Sequence, residues 1–249
     1  MPIWLTMKVF RTQRTQRSAE GAERDLKLTL NLEVMTLVFD RSNFQSICDE
    51  LGRKDKELKK IISNYGYPPM WVRPQGFSTL INIILEQQVS LASAKAAFNK
   101  LKEKTGSITP ANLLKLSDTE MKACYFSRQK MVYARHLAET LNNKKIMIRK
   151  LAGNNDDDVR NTLKQVKGIG DWTVDVYLMF AMQRADVFPT GDLAMMNSLK
   201  KIKNLKSTTT KENILAIAEP WRPYRSVATY LLWHNYLEEK KPLAASHEP

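Results

Sequence analysis

Residues 166–178 read VKGIGDWTVDVYL. Two glycines, Gly168 and Gly170, stand on either side of Ile169, and an apolar run resumes at once. Glycine permits φ above zero and close backbone approach, so the triplet reads as a sharp turn. Before it, DDDVRNTLKQV (156–166) has helical spacing. After it, a helix starts at Asp171 or Trp172 and is apolar almost all round over 172–182, which predicts a central, buried helix. The product is helix, hairpin, helix. Such a turn exposes backbone N–H groups beside a helix N-terminus, a setting suited to a phosphate, with Ile169 turned inward as an anchor. Taken alone, the triplet also reads as a plain glycine C-cap between packed helices.

Working outward from the hairpin, the punctuation from Ser42 onward is that of an all-α protein. Thr109-Pro110 supplies an N-cap with proline at N1, Ser117 to Glu120 is a capping box, and Thr210 precedes another apolar period. Met131, Ala134, Leu137, Ala138 and Leu141 trace one face of a helix. The first 40 residues differ. Leu26, Leu28, Leu30, Leu32 and Val34 alternate with polar residues, the period of a half-buried strand without an evident partner strand. The organisation expected is an N-terminal extension over 1–40, poorly ordered or an isolated strand, with Met35 as a candidate alternative start. A helical domain over 41–240 and a C-terminal tail over 241–249 follow. The basic opening, free of acid up to Glu20, is faintly like a transit peptide and lacks the apolar core of a secretory signal.

The chain has 249 residues, 43% of them hydrophobic, enough for a core. Its 39 Lys+Arg against 26 Asp+Glu give a net charge of +13, which makes nucleic acid the leading partner class, ahead of anionic membrane and acidic proteins. Basic clusters at Lys144, Lys145, Arg149 and Lys150, and at Lys200, Lys201, Lys203 and Lys206, read either as tracks for a phosphate backbone or as solvated faces. Only two cysteines occur, Cys48 and Cys124, so an all-cysteine zinc site and an iron–sulfur cluster are excluded and a reducing, intracellular setting is expected. No apolar run approaches the ~20 residues of a membrane span. Asp156, Asp157 and Asp158 read as a first-turn complement to a helix dipole. No nucleophile triad, P-loop or dinucleotide fingerprint is present.

Twenty-two residues after Gly170, in VFPTGDLAMMNSLKKI (187–202), Asp192 stands between a Pro/Gly loop and a helix start. By itself it is a good N-cap. The order of hairpin, buried helix, Pro-Gly loop and aspartate, however, resembles the helix-hairpin-helix DNA glycosylase superfamily. Three more blocks extend the likeness over roughly residues 42–238. FSTLINIILEQQVSLASAKAAF (77–98) is similar to the helix pair carrying Q-Q-V/I-S in the 3-methyladenine DNA glycosylase II-like branch. YFSRQKMVYARHLAE (125–139) resembles its F-S-R-x-K-x-x-Y segment, and WRPYRSVATYLLW (221–233) its W-x-P-W/Y-R-S-x-A-x-x-x-L-W ending.

The resemblance implies a helix-hairpin-helix glycosylase fold, two helical subdomains with the active-site cleft between them. It implies Asp192 as the catalytic carboxylate, and Trp172 and Trp233 as aromatic walls of the base pocket. Some relatives have an aromatic at the position of Val176; here Tyr177 stands next door as the candidate wall. Gln88 falls where relatives insert a wedge into the gap left by a flipped base, while Gly168, Ile169 and Gly170 form the DNA-binding hairpin. The carbonyls of Lys164, Val166 and Gly168 match those that hold a structural monovalent cation, K+ or Na+; no cofactor is required. Bifunctional relatives carry a Schiff-base lysine where this chain has Trp172, so β-lyase activity is not expected.

The function implied is excision of alkylated purines of the 3-methyladenine and 7-methylguanine type from duplex DNA by a monomer, in base excision repair. The expected compartment is the bacterial cytoplasm, or the nucleus in a eukaryote, with no membrane partner. The alternatives are a non-catalytic helix-hairpin-helix DNA-binding protein, with Asp192 only a cap, or a glycosylase acting on uracil, hypoxanthine or oxidised guanine.

Overall fold

The computed structural model describes residues 37–241, and the chain over these residues is helical. Helices α1 (Phe44–Lys54) and α2 (Lys56–Tyr65) are followed by α3 (Phe77–Glu86), α4 (Leu91–Thr105), α5 (Pro110–Leu114), α6 (Asp118–Ala123) and α7 (Arg128–Asn142). A 3-10 turn over Ile148–Gly153 leads to α8 (Asp156–Leu163), the hairpin and α9 (Asp171–Phe180). Next come α10 (Leu193–Ile202), α11 (Lys211–Ala218), a 3-10 turn over Glu219–Trp221 and α12 (Arg225–Glu239). Among the described residues, β pairing is limited to one isolated bridge between Val38 and Arg184. None of the described helices is long and apolar enough to cross a membrane. The alternating stretch 26–34 lies outside the described residues.

Local chemistry explains most of the helix starts. A short oxygen-bearing side chain accepts from a backbone N–H that the first turn leaves unpaired. Asp55 does so for α2, Ser90 for α4, Thr109 for α5, Ser127 for α7, Asn155 for α8, Asp192 for α10 and Thr210 for α11. At α6 the capping box is complete: Ser117 accepts from the Glu120 N–H, and Glu120 accepts from the Ser117 N–H. The stretch 77–105 divides into two helices because α3 ends at Glu86 and Gln88 takes a left-handed φ of +57°.

The helices pack as two groups. The middle helices, α3 to α9, form one; the terminal helices α1, α2, α10 and α12 form the other. Helix α9 is buried from Thr173 to Met179, as its all-round apolar pattern requires, and packs on α3 and α8. On the apolar face of α7, Met131, Ala134, Leu137 and Ala138 are buried. Phe39, Phe44, Trp71, Phe180, Tyr230 and Trp233 make an aromatic cluster with ring centroids 5.2 to 6.4 Å apart.

The packed body starts upstream of the boundary at residue 40 that the sequence suggests. Phe39 is 1% exposed. Its N–H donates to the Gln183 carbonyl at 3.0 Å, and the Ala185 N–H donates to the Leu37 carbonyl at 2.8 Å. Residues 37–39 therefore belong to the helical domain, because a buried aromatic ring and two backbone hydrogen bonds tie them to the segment after α9.

Candidate active site

The hairpin is built from its two ends inward. Lys164 is the C-cap of α8, the Val166 N–H donates to Leu163, and the Ile169 N–H closes the turn on the Val166 carbonyl at 3.0 Å. Val166 and Ile169 are buried and hold the turn down. Gly168 has φ +87°, and a Cβ at this position would overlap the Tyr133 ring of α7. Both conformation and packing therefore demand glycine there. Gly170 is different. As the N-cap of α9 it has φ −102° and ψ −175°, open to any residue, and a Cβ would meet nothing within 4 Å. Its bare backbone faces open space.

Helix α7 braces the hairpin from behind. His136 Nδ1 accepts the Lys167 N–H at 3.0 Å, and Tyr133, itself bonded to Gln129, packs against Gly168. On the near side, Lys164 Nζ meets Asp171 Oδ1 at 2.7 Å. Asp171 is held below the usual carboxylate range, chiefly by that lysine. Arg160 of α8 pairs with Asp175 of α9, joining the two hairpin helices. Burial pushes the Asp175 carboxyl up to about 6, against the opposing pull of Arg160.

Asp192 lies where the two groups of helices meet. Its carboxylate is 8% exposed. Oδ1 accepts the Met195 N–H at 2.8 Å, which makes Asp192 the N-cap of α10, and also the Trp233 indole N–H at 2.8 Å. Oδ2 accepts the Trp172 indole N–H at 2.9 Å. Three partners that can only donate thus hold one carboxylate. Trp172 comes from the first turn of α9 and Trp233 from the middle of α12, so residues 20 and 41 positions from Asp192 converge on it. Among the described residues no lysine, arginine or histidine is bonded to it.

The two tryptophans differ in surroundings. Trp172 is half-buried, whereas Trp233 is 9% exposed and packs against Phe180 at 5.2 Å. Tyr177 is not brought to the site. It is fully buried, its hydroxyl accepts the Gly76 N–H at 3.2 Å at the start of α3, and burial pushes its phenol up to about 12. It offers no open face, so the expectation of a third aromatic wall fails on packing. Val176, 2% exposed, is likewise core.

Gln88 is exposed at the tip of the turn between α3 and α4, flanked by exposed Val89 and Leu91. Its neighbour Gln87, given no role by the sequence beyond its place in the Q-Q-V/I-S likeness, reaches the hairpin: Nε2 donates to the Gly168 carbonyl at 2.9 Å and to Thr173 Oγ1 at 3.0 Å. Leu193, 78% exposed beside Asp192, is a second residue that no sequence pattern marks. Of the two basic clusters, the second has three of its four lysines engaged. Lys203 is bound to Asp55 at 2.6 Å and Glu57 at 2.8 Å, Lys201 to Glu239 at 3.0 Å, and Lys200 to the Ser207 carbonyl. Lys144, Lys145, Arg149 and Lys150 are exposed and carry no ion pair among the described residues.

The chain is similar to known proteins. The DNA-3-methyladenine glycosylase 1 of Schizosaccharomyces pombe is 30% identical over 182 residues, 72% of this chain and 80% of that protein. A DNA-3-methyladenine glycosylase of Bacillus subtilis is 27% identical over 208 residues, covering 78% of this chain and 68% of its own length. The solved structure of the S. pombe 3-methyladenine DNA glycosylase in complex with abasic DNA superposes with a TM-score of 0.69 at 28% identity, over 76% of this chain and 95% of that one. Residues 81–223, from within α3 to the residue before Tyr224, match the family model described as the HhH-GPD superfamily base excision DNA repair protein. That match spans the Gln88 turn, the hairpin and Asp192 and takes in more than half of the chain, which therefore belongs to the HhH-GPD superfamily of base excision DNA repair proteins.

Proposed function

We propose that this protein is a monofunctional DNA glycosylase that flips alkylated purines of the 3-methyladenine and 7-methylguanine type out of duplex DNA, hydrolyses their glycosidic bond and leaves an abasic site. The observation that carries the reading is the carboxylate of Asp192: nearly buried, held by three neutral donors and without a bonded cation. A base inside a duplex is out of reach, so it is extruded at a cost of a few kcal/mol, less where damage weakens its pairing. The wedge is the Gln88 turn, and the bare hairpin backbone at Gly170 receives a phosphate.

Alkylation leaves the purine cationic or electron-poor. The partly open face of Trp172 attracts such a ring by about 0.5 to 2 kcal/mol. As the bond from C1′ to the base breaks, its electron pair leaves with the base and positive charge develops on the sugar. Asp192 stabilises that charge and orients the water, whose oxygen bonds to C1′ as its proton passes to the carboxylate. The two indole N–H groups fix the carboxylate in place, so it reorganises little during the step. Trp172 stands where bifunctional relatives carry lysine, and Lys164 is engaged by Asp171, which supports simple hydrolysis over Schiff-base chemistry.

The cation implied by the resemblance fits the hairpin. The Val166 carbonyl accepts one hydrogen bond from Ile169 and the Gly168 carbonyl one from Gln87, leaving each a lone pair. With Lys164 they offer neutral oxygens suited to K+ or Na+, whose contribution would be to hold a phosphate.

The test is incubation of wild-type protein with methylated duplex DNA. Free alkylpurine, an intact abasic strand and no adduct trapped by borohydride are expected. A trapped adduct would assign an amine nucleophile. No free base from any damaged duplex would leave Asp192 as a helix cap in a DNA-binding protein.

A further inference from the structure

The Gln87 side chain is the link between the Gln88 turn and the carboxylate site. Its amide reaches across the fold from the C-cap of α3, and its orientation is fixed by chemistry: the Gly168 carbonyl can only accept, so the atom 2.9 Å from it is the amide nitrogen. The second N–H of the same nitrogen serves Thr173 Oγ1 at 3.0 Å. Thr173 is 2% exposed and follows Trp172, whose indole holds Asp192. On its other side the turn is fastened by Lys130 Nζ, which donates to the Leu85 carbonyl at 2.7 Å.

We propose that Gln87 is a positioning residue. It ties the turn that enters the duplex to both the hairpin and the first turn of α9, so that insertion of Gln88 and alignment of the extruded base against Trp172 and Asp192 occur as one movement. The inference rests on the glycosylase reading above and deepens it. A simple packing role would hold the hairpin to α3 and affect only stability. A coupling role affects the reaction after DNA is bound. Losing a two-donor amide from a buried junction is expected to slow the bound-state step about tenfold, the effect of roughly one or two hydrogen bonds.

The experiment uses Gln87→Met, which keeps length and volume and loses both donors, and Thr173→Val, which removes one partner. Each is measured for melting temperature, for Kd on undamaged duplex at fixed salt, and for single-turnover excision from methylated duplex at saturating enzyme. The expected result is a Kd within about twofold of wild type, with the saturated excision rate down about tenfold for Gln87→Met and about threefold for Thr173→Val. If Gln87→Met does not fold, the Thr173→Val rate decides. A wild-type saturated rate in the folded variants, whatever their melting temperature, overturns the proposal. So does a loss confined to Kd, which would make Gln87 only a support for the phosphate-binding hairpin. Wild-type protein that releases no base would sink the glycosylase reading, and this inference with it; an active wild type with unaffected variants sinks this inference alone.

Discussion

Asp55 and Asp192 are both 8% exposed, both cap the N-terminus of a helix, and both accept a tryptophan indole N–H. At Asp55 the indole is Trp221 at 2.9 Å, and Lys203 Nζ lies 2.6 Å from the same oxygen. Burial pushes the Asp55 carboxyl up, but the Lys203 and Trp221 hydrogen bonds outweigh it and hold the group below the usual range. Asp192 instead has a second indole, on its other oxygen, and no bonded cation among the described residues. A buried charge without a counterion costs several kcal/mol and persists where something else makes use of it. Asp55 joins α2 to α10 through Lys203; on the glycosylase reading proposed above, the Asp192 carboxylate is left for a positive centre that arrives with the substrate. On that reading, a helix cap and a catalytic group differ by one lysine.

Matched substitutions would break this comparison if it is wrong. Asp55→Asn should cost about 1–3 kcal/mol of stability, because Lys203 loses its closest partner, and leave excision by the folded protein unchanged. Equilibrium urea unfolding beside a single-turnover assay reads both. Loss of excision in fully folded Asp55→Asn would erase the distinction.

A third buried aspartate sharpens it. Asp175 has a cation, Arg160, and yet burial dominates and raises its carboxyl to about 6. Its unfolded counterpart titrates near 3.9. The folded state therefore binds the extra proton between these values, so this group's contribution favours the fold most below about pH 4 and is lost as pH climbs through about 6. Carboxyl chemical shifts followed by NMR should give an Asp175 midpoint near 6. A midpoint below 4 would mean that Arg160 outweighs burial.

The smallest effect is expected at the hairpin. Gly170→Ala should fold with an unchanged melting temperature, since neither φ nor space opposes a Cβ. It should weaken damaged and undamaged duplex binding alike, by about threefold to tenfold, the worth of one impaired backbone contact. Gly168→Ala would be a poor substitute, because it forces a side chain onto Tyr133. Unchanged affinity in Gly170→Ala would reduce the hairpin to a chain reversal.

What the sequence reveals here is what local chemistry decides. The G-I-G turn, the capping box at Ser117, the proline-led start of α5 and the buried course of α9 all depend on residues within a few positions of one another. The convergence of Asp192, Trp172 and Trp233 came from resemblance; spacing alone left a cap. Long-range pairings were silent. Lys203 reads as one charge in a basic run until Asp55, 148 residues away, neutralises it. Gln87 has no role legible in the sequence until its partners, 81 and 86 residues on, fold against it. Tyr177 was misread for a different reason: a helix apolar on every side gives no periodic signal of which face meets a cavity.

The most direct test of the central claim is single-turnover release of free alkylpurine from methylated duplex by wild type and Asp192→Asn, with Kd and melting temperature measured on the same preparations. Asparagine still offers one oxygen to the Met195 and Trp233 N–H groups, although its amide nitrogen then faces the Trp172 indole N–H, donor against donor; the cap remains, so the fold and DNA affinity should persist. Excision should fall at least about 100-fold, as when one preorganised electrostatic stabiliser is removed from an active site. Excision by Asp192→Asn at close to the wild-type rate would contradict the account and leave Asp192, like Asp55, a helix cap.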